Sequence, residues 1–103
     1  MYNRQEVLEL AGKYASVVRA ELGDAEIYLF GSYARGDAGE YSDIDIAVIS
    51  DVFDRHVVNN RVRLLRMNKV SADIEPHPVM LEDWENLTPL THEIKRDGVL
   101  ICI

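Results

Sequence analysis

One cysteine, one tryptophan and three prolines are spread over 103 residues. A single cysteine can form no intramolecular disulfide, so packing must hold the fold; Cys102, inside a terminal apolar run, reads as a buried structural thiol. No stretch is long and apolar enough to cross a bilayer, and the polar opening around Asn3–Glu6 lacks a secretory core. A cytoplasmic location is therefore the expectation. Basic residues are outnumbered, with 11 Lys and Arg against 18 Asp and Glu and a net charge of -7. That balance argues against a protein that coats nucleic acid, because nonspecific phosphate binding needs a large cationic footprint. Repeats, linkers and low-complexity tracts are also missing. Residues 1–103 are accordingly read as one domain with a single core, and the 48% apolar and 28% charged content is that of a chain that folds.

The residues that are there group into alternating elements. From Arg4 to Leu22, Val7, Leu8, Ala11, Tyr14, Ala15, Val18 and Leu22 recur at helical spacing, and Gly23 is a plausible stop. Ala25–Phe30 reads as a strand buried on both faces. Asp43–Ile49 has the two-residue period of a second strand. Phe53–Lys69 carries Val57, Val58, Val62, Leu65 and Met67 among arginines and predicts a second amphipathic helix. Val70–Val79 returns to a two-residue period, and Pro76 and Pro78 restrict it to a sheet edge or a strand end. A helical stretch reaching Arg96, a turn at Asp97-Gly98 and a short strand from Val99 to Ile103 complete the chain. The expected fold is α+β, in αβαβαβ order, around a mixed central sheet.

The chemistry-bearing segment is Gly31-Ser32-Tyr33-Ala34-Arg35-Gly36 followed by Ser42-Asp43-Ile44-Asp45. In a strand, alternate side chains share a face, so Asp43 and Asp45 emerge together. Two adjacent carboxylates oppose each other's ionisation unless a cation lies between them. Mg²⁺ suits such a pair, since it takes oxygen ligands and commonly combines one or two carboxylates with substrate phosphates. Gly31 permits close approach to the backbone, and Ser32 starts a segment that can open a short helix, whose first amides can face phosphate oxygens. A Walker-type loop is excluded by the missing Gly-Lys-Ser/Thr ending. A third acid is expected for two-metal chemistry. Asp73 is the first choice, being farther from the prolines, and Glu75 is the reserve; with His77 they alternate onto one strand face.

At these residues the sequence resembles the minimal nucleotidyltransferases of the DNA polymerase β-like superfamily. That signature is Gly-Ser, ten residues, then Asp-x-Asp, matched here by Gly31-Ser32, Tyr33–Ser42 and Asp43-Ile44-Asp45. The resemblance implies Mg²⁺-dependent transfer of a nucleoside monophosphate, AMP from ATP, with Asp43, Asp45 and Asp73 as catalytic metal ligands and Gly31 and Ser32 on the nucleotide. It also implies a separately encoded, all-helical HEPN-type partner, neutralised as a toxin by adenylylation of a tyrosine, in place of the acceptor-binding domain of larger members. A small-molecule acceptor and a non-catalytic module acting by contact alone are the alternatives.

Other residues have plainer readings. Arg35 is expected to brace its loop through Asp37 or Glu40. His56, His77 and His92 lack zinc-ligand spacing. Arg55, Arg61, Arg63, Arg66 and Lys69 read as a solvated helix face, open to an acidic partner, RNA or the triphosphate. Trp84 and Tyr41 are candidates to stack a nucleobase, with core or lid positions as the simpler alternative.

Overall fold

The computed structural model describes residues 1–101. Helix α1 (Arg4–Leu22) starts at Asn3, whose side chain accepts from the Glu6 amide while Glu6 reaches back to the Asn3 amide, a capping box that satisfies two of the orphan donors of the first turn. It ends at Gly23, at φ 79°, a conformation open to glycine and strained for other residues. Its buried positions Val7, Ala11, Tyr14, Ala15 and Val18 form one stripe along the helix.

Four strands follow the expected sequence: β1 (Glu26–Phe30), β2 (Ile44–Ser50), β3 (Ile74–Met80) and β4 (Val99–Leu100). Their spatial order is β3-β2-β1-β4, with β1 antiparallel to both β2 and β4, and β2 parallel to β3. The sheet is thus mixed. Between the strands lie α2 (Ser32–Arg35), α3 (Val57–Met67), α4 (Leu81–Glu85) and α5 (Pro89–Asp97). Both sheet faces are covered. Ile27, Leu29, Ile44, Ile46, Val48 and Ile74 pack with α1 and with Leu64 of α3, whereas Phe30, Ala47, Ile49 and Val79 pack with Ile94 of α5. Strand β2 is buried on both faces beyond Asp45, as a central strand flanked by helices should be.

Three expectations change. The strand expected from Val70 begins only at Ile74, because Asn68 accepts from the Val70 and Ser71 amides and donates to the Ser71 carbonyl, while Ser71 Oγ accepts from the Asp73 amide. These local bonds give the backbone an alternative to the ladder. Helix α3 is shorter than expected and buries Leu64 and Asn60, leaving Val57, Val58, Val62 and Leu65 exposed. The expected stripe is not the inward one. Helix α4 was not expected, and α5 takes the helical stretch, with Thr88 as its cap and Pro89 at its first position, where a missing N–H has no cost. Pro76 and Pro78 sit on β3, an edge strand, in agreement with the sequence reading. Cys102 and the end of the expected last strand lie outside the described residues.

Tyr14 ties the two helices of one face together. Its ring is fully buried and its hydroxyl donates to the Leu64 carbonyl at 2.9 Å; burial pushes the phenol pKa up. The Leu64 carbonyl is in the last turn of α3, where no intrahelical donor remains for it. Tyr14→Phe keeps the packing and strips this partner, so urea denaturation should show a loss of about 1–3 kcal/mol; an unchanged midpoint would show that the bond contributes nothing.

Candidate active site

The site forms where β1 ends and β2 and β3 begin. Phe30 of β1 is the register partner of Asp45, and Asp45 is the register partner of Glu75. Residues opposite each other in register share a face, so an aromatic ring and two carboxylates line up across three strands. His77, two positions along β3, joins them: its Nε2 is 3.2 Å from Asp45 Oδ1. One donor atom each from Asp45, Glu75 and His77 lie within 4.8 Å of one another. Two donors bound to one ion at about 2.1 Å are separated by up to about 4.2 Å, so small rotations of these half-buried side chains suffice for shared coordination.

Asp43 completes the group from the segment leading into β2. A hydrogen bond to Glu75, then desolvation and the charges of Glu75, Asp45 and Asp73, raise the Asp43 carboxyl above the ordinary carboxylate range. Desolvation pushes Glu75 upward too, but hydrogen bonds with Arg61 and Asp43 and the charges of His77 and Arg61 outweigh it, so Glu75 is lowered. The pair is thus asymmetric, with Arg61 favouring the charged form of Glu75. Arg61 reaches from α3 to Glu75 Oε1 at 3.2 Å and to the Pro76 carbonyl at 3.3 Å, which fixes Glu75 from behind.

Asp73 stands apart from this arrangement. It occupies the turn before β3 and not the strand itself, is exposed, and its carboxylate accepts the Tyr2 hydroxyl at 2.5 Å. Its charge still reaches Asp43. The two-residue period had grouped Asp73, Glu75 and His77; what the sequence concealed was the parallel register, which sets Glu75 beside Asp45.

The glycine–serine turn lies directly against the acids. Gly31 has φ 74° and ψ -155°, and a Cβ built there would stand 2.2 Å from Asp45 Oδ2. Both facts demand glycine. Its carbonyl accepts the Ala34 and Arg35 amides, so α2 opens at Ser32 and leaves the Ser32 and Tyr33 amides outside the helical ladder.

The remaining candidates divide. Arg35 pairs with Asp37 at 3.2 Å, as expected, and also with Glu93 of α5 at 3.3 Å, bracing the turn to the helix below it. Trp84 is engaged by Tyr28, with centroids 5.3 Å apart, and by Lys95 Nζ 4.6 Å above its ring. Tyr41 is 91% exposed and lines a cleft with Tyr2, Tyr33, Ser42 and Asp73. Of the basic run, Arg55 pairs with Glu82 and Arg61 with Glu75. Arg63, Arg66 and Lys69 line a groove of about 640 Å³ with Val17, Val62 and Met67, between α1 and α3. His56 pairs with Asp54. No helix among the described residues is long and apolar enough to cross a membrane.

The chain is similar to several known proteins. Residues 12–97 match the Nucleotidyltransferase domain family. A Methanocaldococcus jannaschii protein named "Putative protein adenylyltransferase" is 44% identical over 81 residues, covering 74% of this chain and 50% of that protein. The chain spans half or less of the length of the curated relatives it matches. Among solved structures, a Sulfolobus solfataricus protein described as a "putative nucleotidyltransferase" superposes with a TM-score of 0.72 at 23% identity, over 94% of this chain and 80% of that one. This likeness is one of fold. A toxin–antitoxin protein crystallised with AMP-PNP gives 0.63 at 26% identity, over 88% of this chain and 72% of that one.

Two predictions follow from the geometry of the glycines and acids. Gly31→Ala should cost about 1–3 kcal/mol of backbone strain and also displace the Asp45 carboxylate, abolishing Mg²⁺ binding in a calorimetric titration. Gly36→Ala is the control: its φ is 86°, but nothing lies within 4 Å of the added carbon, so stability alone should drop. Equal Mg²⁺ binding by both variants would contradict the assigned contact. The hydrogen bond to Glu75 and the acidic neighbours raise the Asp43 carboxyl, so protons should compete with a cation there and Mg²⁺ affinity should fall as pH is lowered toward the carboxylate range; a flat profile would contradict a raised Asp43 at the site.

Proposed function

Since this chain belongs to the Nucleotidyltransferase domain family, we propose that it transfers AMP from ATP to a protein hydroxyl, with Asp43, Asp45 and Glu75 as its divalent-cation ligands. The observation that carries this reading is the register of Asp45 with Glu75 on the adjoining parallel strand, with the Gly31 turn seated against Asp45. Glu75 takes the place first given to Asp73, whose carboxylate is held by Tyr2 outside the strand. A cation bound there, Mg²⁺ being the first expectation, supplies charge neutralisation for the triphosphate and lowers the pKa of the attacking hydroxyl.

The chain's own residues do the rest. Gly31 leaves room for a phosphate, and the Ser32 and Tyr33 amides with the Ser32 hydroxyl donate to its oxygens. Arg61 keeps Glu75 ionised and oriented. Tyr41, exposed at the rim of the neighbouring cleft, is positioned for the nucleobase to stack on it. The acceptor oxygen attacks the α-phosphorus, the bond to the β-phosphate oxygen breaks, pyrophosphate departs, and the hydroxyl proton passes to a carboxylate. Catalysis is in-line positioning and charge neutralisation.

The acceptor is proposed as a tyrosine on a separately encoded HEPN-type helical protein, so that this chain is the antitoxin of a pair. The curated relatives' names and the toxin–antitoxin neighbour with AMP-PNP support it. Location in the cytoplasm belongs to the same reading, because the proposed reaction draws on ATP.

The test is incubation of the chain with ATP, Mg²⁺ and the co-encoded helical protein, followed by intact-mass measurement of that protein. One AMP should be added to a tyrosine. Asp45→Asn and Glu75→Gln should each slow the transfer by about a hundredfold or more, whereas Asp73→Asn should change it far less. No added mass would refute the transferase reading, and the reverse ranking of Glu75→Gln and Asp73→Asn would restore Asp73 as the third acid.

A further inference from the structure

The side chain left unused by this chemistry is His77. It occupies β3 two residues beyond Glu75, on the same sheet face, with 24% of its side chain exposed. Its Nε2 points at Asp45 Oδ1 from 3.2 Å. Phe30, only 3% exposed, meets the imidazole edge-on, with ring centroids 5.0 Å apart and planes at 70°. The ring is therefore directed into the acid group by a buried aromatic wall.

Two carboxylates and one imidazole are a different donor set from three carboxylates. Mg²⁺ takes oxygen ligands and gains little from nitrogen, whereas first-row transition dications accept imidazole with carboxylate and generally bind mixed nitrogen–oxygen sites more tightly. The supporting contacts are also those of a ligand set: Arg61 holds Glu75 from behind, and Phe30 limits rotation of the imidazole. We infer that His77 is a direct metal ligand beside Asp45 and Glu75, and that the site prefers a transition dication such as Mn²⁺ to Mg²⁺.

The inference rests on the cation site proposed above, and the experiment separates the two. The chain is loaded with Mn²⁺ without nucleotide and studied by pulsed electron paramagnetic resonance, which detects nitrogen nuclei bound to the ion. The native chain should show imidazole nitrogen coupling; Asp45→Asn, which removes a neighbouring ligand, should lose bound Mn²⁺ and coupling together, excluding His56 and His92 as the source. His77→Gln retains a side chain able to hydrogen-bond Asp45 but has no imidazole. In that variant the coupling should vanish and Mn²⁺ affinity should drop about tenfold or more, with Mg²⁺ affinity changed less than about twofold. Mn²⁺ bound without nitrogen coupling in the native chain, or an unchanged Mn²⁺-to-Mg²⁺ preference in His77→Gln, would overturn the inference and leave the acid site intact. Failure of the native chain to bind Mn²⁺ at all would overturn both.

Discussion

Carboxylates a few ångströms apart repel, and a fold that gathers several of them on one sheet face must offset that repulsion. Asp43, Asp45 and Glu75 are gathered by strand register, and the hydrogen bond to Glu75 with their mutual repulsion raises the Asp43 carboxyl while Arg61 helps hold Glu75 below the ordinary range. Arg61 adds a positive charge at the edge, and His77 brings a ring nitrogen to Asp45. A divalent cation answers the same electrostatic problem more completely, and a triphosphate brings further oxygen ligands to it. The acid group is a cost to folding, and the proposed cation is what gives it a purpose.

Everything near these acids is arranged by their needs. Gly31 cannot carry a side chain because Asp45 occupies the space, and its backbone conformation is closed to other residues. The same close approach sets the start of α2, and with it the Ser32 and Tyr33 amides, next to the carboxylates. Arg35 fastens that turn to α5 through Glu93, so the helix beneath the sheet also supports the site. In the proposed function, nucleotide grip and cation grip become one unit on three neighbouring strands, which suits a reaction driven by positioning.

Much of this was legible before the structure. The helical stripe of α1, the two-residue periods of β2 and β3, the confinement of Pro76 and Pro78 to an edge and the spacing between Gly31-Ser32 and Asp43-Ile44-Asp45 all reflect local rules acting on local residues. What stayed hidden depended on partners distant in sequence. The period of β3 could not say whether Asp73 or Glu75 faced Asp45, because that is decided by pairing with β2 and by the Asn68–Ser71 hydrogen bonds that delay the strand. Nor could spacing alone unite His77 with Asp45, 32 residues earlier. The inward face of α3 differs from the sequence reading for a related reason: Leu64 and Asn60 turn inward because Tyr14 and the sheet lie there, while Val57, Val58, Val62 and Leu65 remain outside.

The central claim is that the acids and the glycine–serine turn hold a triphosphate jointly, through a cation. Calorimetric titration of the folded chain with a non-hydrolysable ATP analogue, with a divalent cation and then with a chelator, addresses it most directly. Cation-dependent affinity that disappears in an Asp43→Asn, Asp45→Asn double variant with an unchanged circular dichroism spectrum is the predicted result. Affinity that is indifferent to the cation, or retained in the double variant, would contradict the account.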